Sequence, residues 1–160
     1  GGSELATGCD LVYVATDARM GYPAVRFGVP DMHFHVWFLG MRRAMEMMIT
    51  GDAITGLEAV AEGWANAAFP VEELDEAVLA VARRVADLPT EIVQMNKRAV
   101  HMQMEYMGMR AGIRAGTELC ALGTHSSAMA AFLEKVRVEG LTGALQDRDQ
   151  PFGDYRTDEG

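Results

Sequence analysis

The five residues Leu11–Ala15, LVYVA, constrain the fold more than any other stretch of the chain. They are β-branched and aromatic, bounded by Asp10 on one side and Thr16-Asp17 on the other, and so read as a strand. Their apolar run is the pattern of a parallel-type strand covered on both faces. Only one other short strand is legible, WANAAF at Trp64–Phe69, closed by Pro70. A two-stranded pair cannot bury such a strand on both faces. Partner strands for Leu11–Ala15 are therefore expected from residues outside this chain.

Almost everything else reads as helix. Residues 3–9 form a short helix of small residues. Gly21, Pro23, Gly28 and Pro30 place four breakers in ten residues and mark a loop. HFHVWFLGMRRAMEMMITG then reads as one or two helices, with Gly51 as C-cap. In TGLEAVAEG, Thr55 and Glu58 have the spacing of a capping box, and Gly63 stops that helix. Leu74, Val78, Val81 and Val85 recur at helical spacing. After Leu88-Pro89, Thr90 is placed as an N-cap, with Ile92, Met95, Ala99 and Met102 on one stripe. A further helix spans Arg110–Leu122, and Ser126 or Ser127 caps a last one carrying Met129, Phe132, Leu133 and Val136. From Gln146 the chain is polar and charged, with Pro151-Phe152 as its only anchor. No internal repeat or low-complexity segment interrupts this order.

The bulk properties narrow the function classes. The 160 residues suffice for one domain with a core, and 49 % are apolar. No apolar run approaches the ~20 residues of a membrane span, and no signal peptide is visible. A net charge of −9 argues against nucleic acid or an anionic membrane as partner; an anionic ligand would need a local basic patch. Cys9 and Cys120 show no metal-ligand spacing and read as buried free thiols of a reducing compartment, hence a cytoplasmic location. The twelve methionines read as core or interface filler.

The start of the chain is unusual. In GGSELATGCDLVYV, two glycines run straight into a helix that carries Glu4 in its first turn. Either Gly1 is a cut end or the protein continues upstream. GGSELATGCDLVYVATDARMGYPAVRFGVPD resembles the central segment of the crotonase (enoyl-CoA hydratase/isomerase) superfamily. There a Gly-Gly turn leads into a glutamate-bearing helix, then "CD", a strand and a "G-x-P-E…G" loop. AMEMMITGDAITGLEAVAEGWANAAFPVEEL is similar to the family's next segment, ending in its strand-then-"FP" signature. The likeness runs from Gly1 to about Lys97 and more loosely through the last helix.

The resemblance implies an α/β crotonase fold, a β-β-α spiral with most of its N-terminal strands absent from this chain. Residues 1–88 would be the C-terminal part of the spiral core, 89–145 a helical trimerisation region, and 146–160 a polar tail. It also implies chemistry on acyl-CoA thioesters, in which negative charge on the thioester oxygen is stabilised by two backbone N–H groups. Gly1 matches the helix-side donor, and the second donor would lie upstream. Glu4 matches the family's first catalytic glutamate, a general acid or base handling a water. On its residues alone, Glu4 equally well complements the helix terminus.

Hydratases place their second glutamate after the proline of "G-x-P-E", where this chain has Gly21-Tyr22-Pro23-Ala24. Alanine cannot shuttle a proton, so two-glutamate hydration is in doubt. Asp31 follows FGVP, near a site where some branches of the superfamily carry a working aspartate. It is either a replacement base or nucleophile or an ordinary N-cap. His33 and His35 are two residues apart and point differently on a helix, which argues against a shared metal site. One of them is a candidate proton shuttle, and Trp37 a candidate wall of an acyl pocket. With Ala24 these are the expected substrate-contacting positions. Lys97, Arg98, Lys135 and Arg137 are either contacts for CoA phosphates or solvated charge, and Arg42 and Arg43 read as a solvated face.

The leading expectation is an enoyl-CoA hydratase/isomerase, a lyase or isomerase needing no cofactor beyond the CoA of its substrate. It would be a homotrimer or hexamer, completed by an upstream segment of the same protein. The alternatives are a hydrolase, C–C lyase or synthase that uses Asp31, or a non-catalytic CoA-binding member.

Overall fold

The structure, a computed structural model, describes residues 2–28 and 35–153, with the backbone alone for His35. The order is α1 (Gly2–Thr7), β1 (Tyr13–Ala15), β2 (Arg19–Met20), a 3-10 turn (Pro23–Phe27), α2 (His35–Thr50), β3 (Ile54–Thr55), α3 (Gly56–Ala61) and β4 (Ala67–Phe69). Four helices follow, α4 (Val71–Ala86), α5 (Thr90–Tyr106), α6 (Met109–Gly123) and α7 (Ser127–Asp149), and a 3-10 turn at Gln150–Phe152.

The Leu11–Ala15 strand has one partner within the chain itself. β1 pairs in parallel with β4, Tyr13 opposite Ala67 and Ala15 opposite Phe69. Asn66 extends the ladder: its N–H donates to Val12 O, and its Oδ1 accepts from Val12 N–H, both at 2.7 Å. Only Tyr13–Ala15 is strand, and of these only Val14 is buried; Leu11 is exposed. A second pair, β2 with β3, is antiparallel, Met20 opposite Ile54. The sequence could not announce it, because two residues per strand show no period.

The core gathers Val14, Met20, Met47, Ile54, Ala59, Trp64 and Ala65. Full burial of a side chain like Ile54, 2 % exposed, contributes roughly 1.5–3 kcal/mol. The close packing rests on glycine at Gly56: a Cβ there would lie 1.9 Å from Ala15 O. The α3 N-terminus therefore abuts the end of β1 with no room for any side chain.

Several end signals act as read. Thr55 Oγ1 accepts from Glu58 N–H while the Glu58 carboxylate accepts from Thr55 N–H, a complete capping box. Gly51 (φ +75°) follows α2, and Ser126 caps α7 through Met129 N–H. Gly40 (φ +70°) kinks α2, which makes residues 35–39 and 41–50 two helical pieces. Thr90 is not the N-cap of α5. That place falls to Pro89, whose carbonyl accepts from Ile92 and Val93 N–H, so Thr90 is already helical.

The late helices leave their apolar stripes uncovered. α4 and α5 have no buried residue, and Ile92, Met95 and Met102 of the α5 stripe stand exposed. The cysteines are free as expected, but Cys9 is exposed and Cys120 half-buried rather than buried. Arg43 is half-buried rather than solvated: Glu46 and Glu62 both bind it, the Glu46 hydrogen bond foremost in raising its pKa.

Candidate active site

The site begins on α1. Ser3 and Thr7, and likewise Glu4 and Thr7, have the separations that put side chains on one helix face. The Thr7 hydroxyl, in a residue 4 % exposed, donates back to Ser3 O (3.1 Å) and Glu4 O (2.9 Å). Such back-bonding satisfies a buried hydroxyl within its own turn. Ser3 Oγ accepts from Gly21 N–H at 3.3 Å, and Thr7 Oγ1 lies 3.4 Å from the Tyr22 hydroxyl. The glutamate helix is thus fastened to the Gly-Tyr-Pro-Ala loop at two points flanking Glu4. Glu4 itself is half-buried, with carboxylate oxygen Oε2 shielded from solvent.

The loop is held in turn. A Cβ on Gly21 would lie 2.9 Å from Ala53 Cα, so the backbone there packs directly on the residue before β3. Pro23 opens the 3-10 turn, Ala24 sits half-buried within it, and Gly28 (φ +95°) closes it, its N–H bonding Val25 O. Of the candidate site residues, Glu4 and Ala24 are thus carried by segments tied to each other. Trp37, half-buried on α2, has its indole against Gly112 of α6, where a Cβ would sit 3.8 Å from Nε1. Gly1, Asp31, His33 and the His35 side chain lie outside the described residues.

Sequence reasoning missed Arg26. Its side chain is 2 % exposed and makes ion pairs at 3.1 Å with both Asp52 and Asp149. Its Nε donates to Thr50 O at 3.2 Å, and its guanidinium stacks 3.9 Å from the Phe152 ring centre. Two residues from Ala24, this cation joins the site's turn to the end of α2 and to the last described residues. The polar stretch from Gln146 begins within α7, which continues to Asp149, and Phe152, read as its anchor, lies against the buried cation. Phe27 adds to the join by stacking on Phe132 of α7, ring centres 4.3 Å apart. No local pattern could flag Arg26, since its partners lie 26 and 123 residues away.

The late basic residues are largely engaged within the chain. Asp10 accepts from Lys97 and contacts His101, each at 2.5 Å. The Lys97 hydrogen bond is the main cause holding the Asp10 carboxyl below its ordinary value. Lys135 pairs with Asp147 and Arg137 with Glu134. Lys97, Arg98, His101 and Arg110 line a groove of about 400 Å³ along α5 and α6, which also admits Glu105. Among the described residues no cluster of three potential metal ligands occurs, and no helix is long and apolar enough to cross a membrane.

Residues 1–139 match the family model described as enoyl-CoA hydratase/isomerase. The chain belongs to that family. Its fold is the crotonase fold: it superposes on the crystal structure of an enoyl-CoA hydratase from Mycobacterium smegmatis with a TM-score of 0.93 at 32 % identity, covering 98 % of this chain and 54 % of that one. An enoyl-CoA hydratase/isomerase structure from Xanthobacter autotrophicus Py2 gives 0.86 at 28 % identity, over 94 % of this chain and 57 % of that one. The mitochondrial enoyl-CoA hydratase of Pongo abelii is 29 % identical over 96 % of this chain and 51 % of its own length. The chain thus spans about half the length of the relatives it matches. The few short strands beside long helices belong to that covered half.

Proposed function

We propose that this family member acts on acyl-CoA thioesters as an enoyl-CoA hydratase or isomerase, with Glu4 as the acid or base that moves the proton. One observation carries the reading. The Glu4 helix is fastened at Ser3 and Thr7 to the Gly21-Tyr22 loop, with one Glu4 oxygen shielded from water. A partly buried carboxylate on a located helix is what positioned proton transfer requires. The Gly1 N–H would help stabilise the developing oxyanion, together with a donor upstream. CoA enters as part of the substrate, and no other cofactor takes part.

Ala24 favours a second reading within the same site. Hydration by two carboxylates needs a second acid, and Ala24 has none. Isomerisation needs a single group to remove a proton and return it, which Glu4 alone can do. Asp31 is the candidate replacement should two groups be required, and would then serve hydration, hydrolysis or C–C bond chemistry. His33, His35 and Trp37 are proposed to border the acyl group. A non-catalytic CoA-binding member remains the reading of a different class. Assembly is proposed as a trimer or hexamer in the cytoplasm; light scattering that reads the intact protein as a monomer would sink the assembly.

The test is turnover by the intact protein of crotonyl-CoA and a longer or branched enoyl-CoA, with hydration and double-bond migration followed separately. Glu4→Gln is expected to lower kcat by about 10²-fold or more, the usual scale for a positioned acid or base. Asp31→Asn does likewise only if Asp31 takes part. Undiminished turnover in Glu4→Gln rules out the assigned role.

A further inference from the structure

We propose that Tyr22 is a positioning residue for Glu4, locating helix α1 through the Thr7 hydroxyl; this rests on the reading of Glu4 as the acid or base. Tyr22 is the second residue of Gly-Tyr-Pro-Ala and is only 4 % exposed. A phenol so deeply buried needs a polar partner for its hydroxyl. Thr7 Oγ1 is 3.4 Å from it. Thr7 has a single proton to donate, and two carbonyls already compete for it, Ser3 O at 3.1 Å and Glu4 O at 2.9 Å. Thr7 therefore keeps its lone pairs open toward the Tyr22 hydroxyl, with which it is in contact across the two segments.

This contact bears on Glu4 because of where it lies. Thr7 is three residues after Glu4 and on the same helix face. The second tie, Gly21 N–H to Ser3 Oγ, lies on the other side of Glu4 and comes from the residue next to Tyr22. A six-residue helix has little stability of its own, so its orientation is set by what it is tied to. The loop offering both ties is itself seated on Ala53 with no space to spare. A rigid segment thus fixes the turn on which Glu4 is presented. With alanine at residue 24, more of the proton handling falls on Glu4, and its placement matters correspondingly more.

Tyr22→Phe removes one oxygen and keeps the buried ring, so the fold is retained. In the intact protein, assayed on crotonyl-CoA, it is expected to lower kcat about ten-fold while KM changes less than about two-fold. Thr7→Val should lose a similar factor, and the double variant no more than the worse single one, since both remove the same contact. In a Glu4→Gln background, Tyr22→Phe should cause no further loss. A purely structural role, or independent proton donation by the phenol, would instead multiply the two losses and overturn the proposal. Wild-type kcat in Tyr22→Phe beside an impaired Glu4→Gln overturns it as well while leaving the Glu4 reading intact. Should Glu4→Gln itself keep wild-type turnover, the acid-base reading falls, and any loss in Tyr22→Phe then arises elsewhere and removes the proposal too.

Discussion

The main core lies between Val14 and Ala65, whereas α4 and α5, thirty-three residues of helix in sixteen and seventeen, bury no side chain. Both regions carry apolar residues at regular spacing, so periodicity does not separate them. What separates them is the presence of close approaches between non-neighbouring segments. In the first region backbone meets backbone at Gly56 and Gly21, and a parallel strand pair closes over Val14. In the second, side chains such as Leu79, Ile92, Met95 and Tyr106 stand exposed along helices joined by short turns. Helical spacing shows which face of a helix is apolar. It does not show what covers that face.

The sharpest way to break this comparison is to remove the buried cation that ties the first region to the end of α7. Arg26→Met keeps an apolar stem but leaves Asp149 short of a buried partner and Thr50 O short of a donor. Removing one member of a buried ion pair typically costs about 3–5 kcal/mol. The low end is expected here, because Arg148 still pairs with Asp149 and Asp52 is well exposed. Denaturant unfolding of the intact protein measures it. A loss under about 1 kcal/mol would show that Arg26 does not join the site's turn to the end of α7.

Two glycine substitutions sharpen the comparison from opposite sides. Gly56→Ala forces a methyl group into Ala15 O, a backbone atom that cannot step aside, and is expected to cost at least about 1–3 kcal/mol. Gly112→Ala on α6 meets only the Trp37 indole at ordinary contact distance. There alanine should stabilise the helix by about 0.5–1 kcal/mol. Thermal unfolding of the two variants should therefore move in opposite directions. Shifts of the same sign would mean that the two regions are packed alike.

Legibility in the sequence followed the same division. The capping box at Thr55 and Glu58, the stop at Gly51 and the Ser126 cap are chemical signals confined to four or five residues, and each sits where it was read. The β1–β4 pairing joins residues 54 apart, so LVYVA announced a strand but not its partner. The candidate site divides likewise. Glu4 and the Gly-Tyr-Pro-Ala loop were visible as motifs, and the ties between them through Ser3 and Thr7 depend on tertiary geometry. Arg26 was invisible because a lone arginine in an apolar stretch looks the same in sequence whether it is buried or solvated.

The smallest effect tests the charged contacts that α5 makes with Asp10, in the segment after α1. Asp10 joins Lys97 and His101, but all three are about half exposed, so solvent screens the interaction. Asp10→Asn is expected to cost less than about 1 kcal/mol at neutral pH. Its pH dependence carries the more specific information. The Lys97 hydrogen bond, and after it His101, lower the native Asp10 pKa below the ordinary 3.8, with partial burial opposing them. The ionised form is therefore the one that folding favours. Its contribution is present above the unfolded value and is lost as pH falls below 3.8 through the native one. Wild type and Asp10→Asn should accordingly differ slightly at pH 7 and converge in strong acid, and added salt should narrow the neutral-pH gap. A gap that persists unchanged below the native pKa would show that Asp10 supports α5 through packing and not through charge.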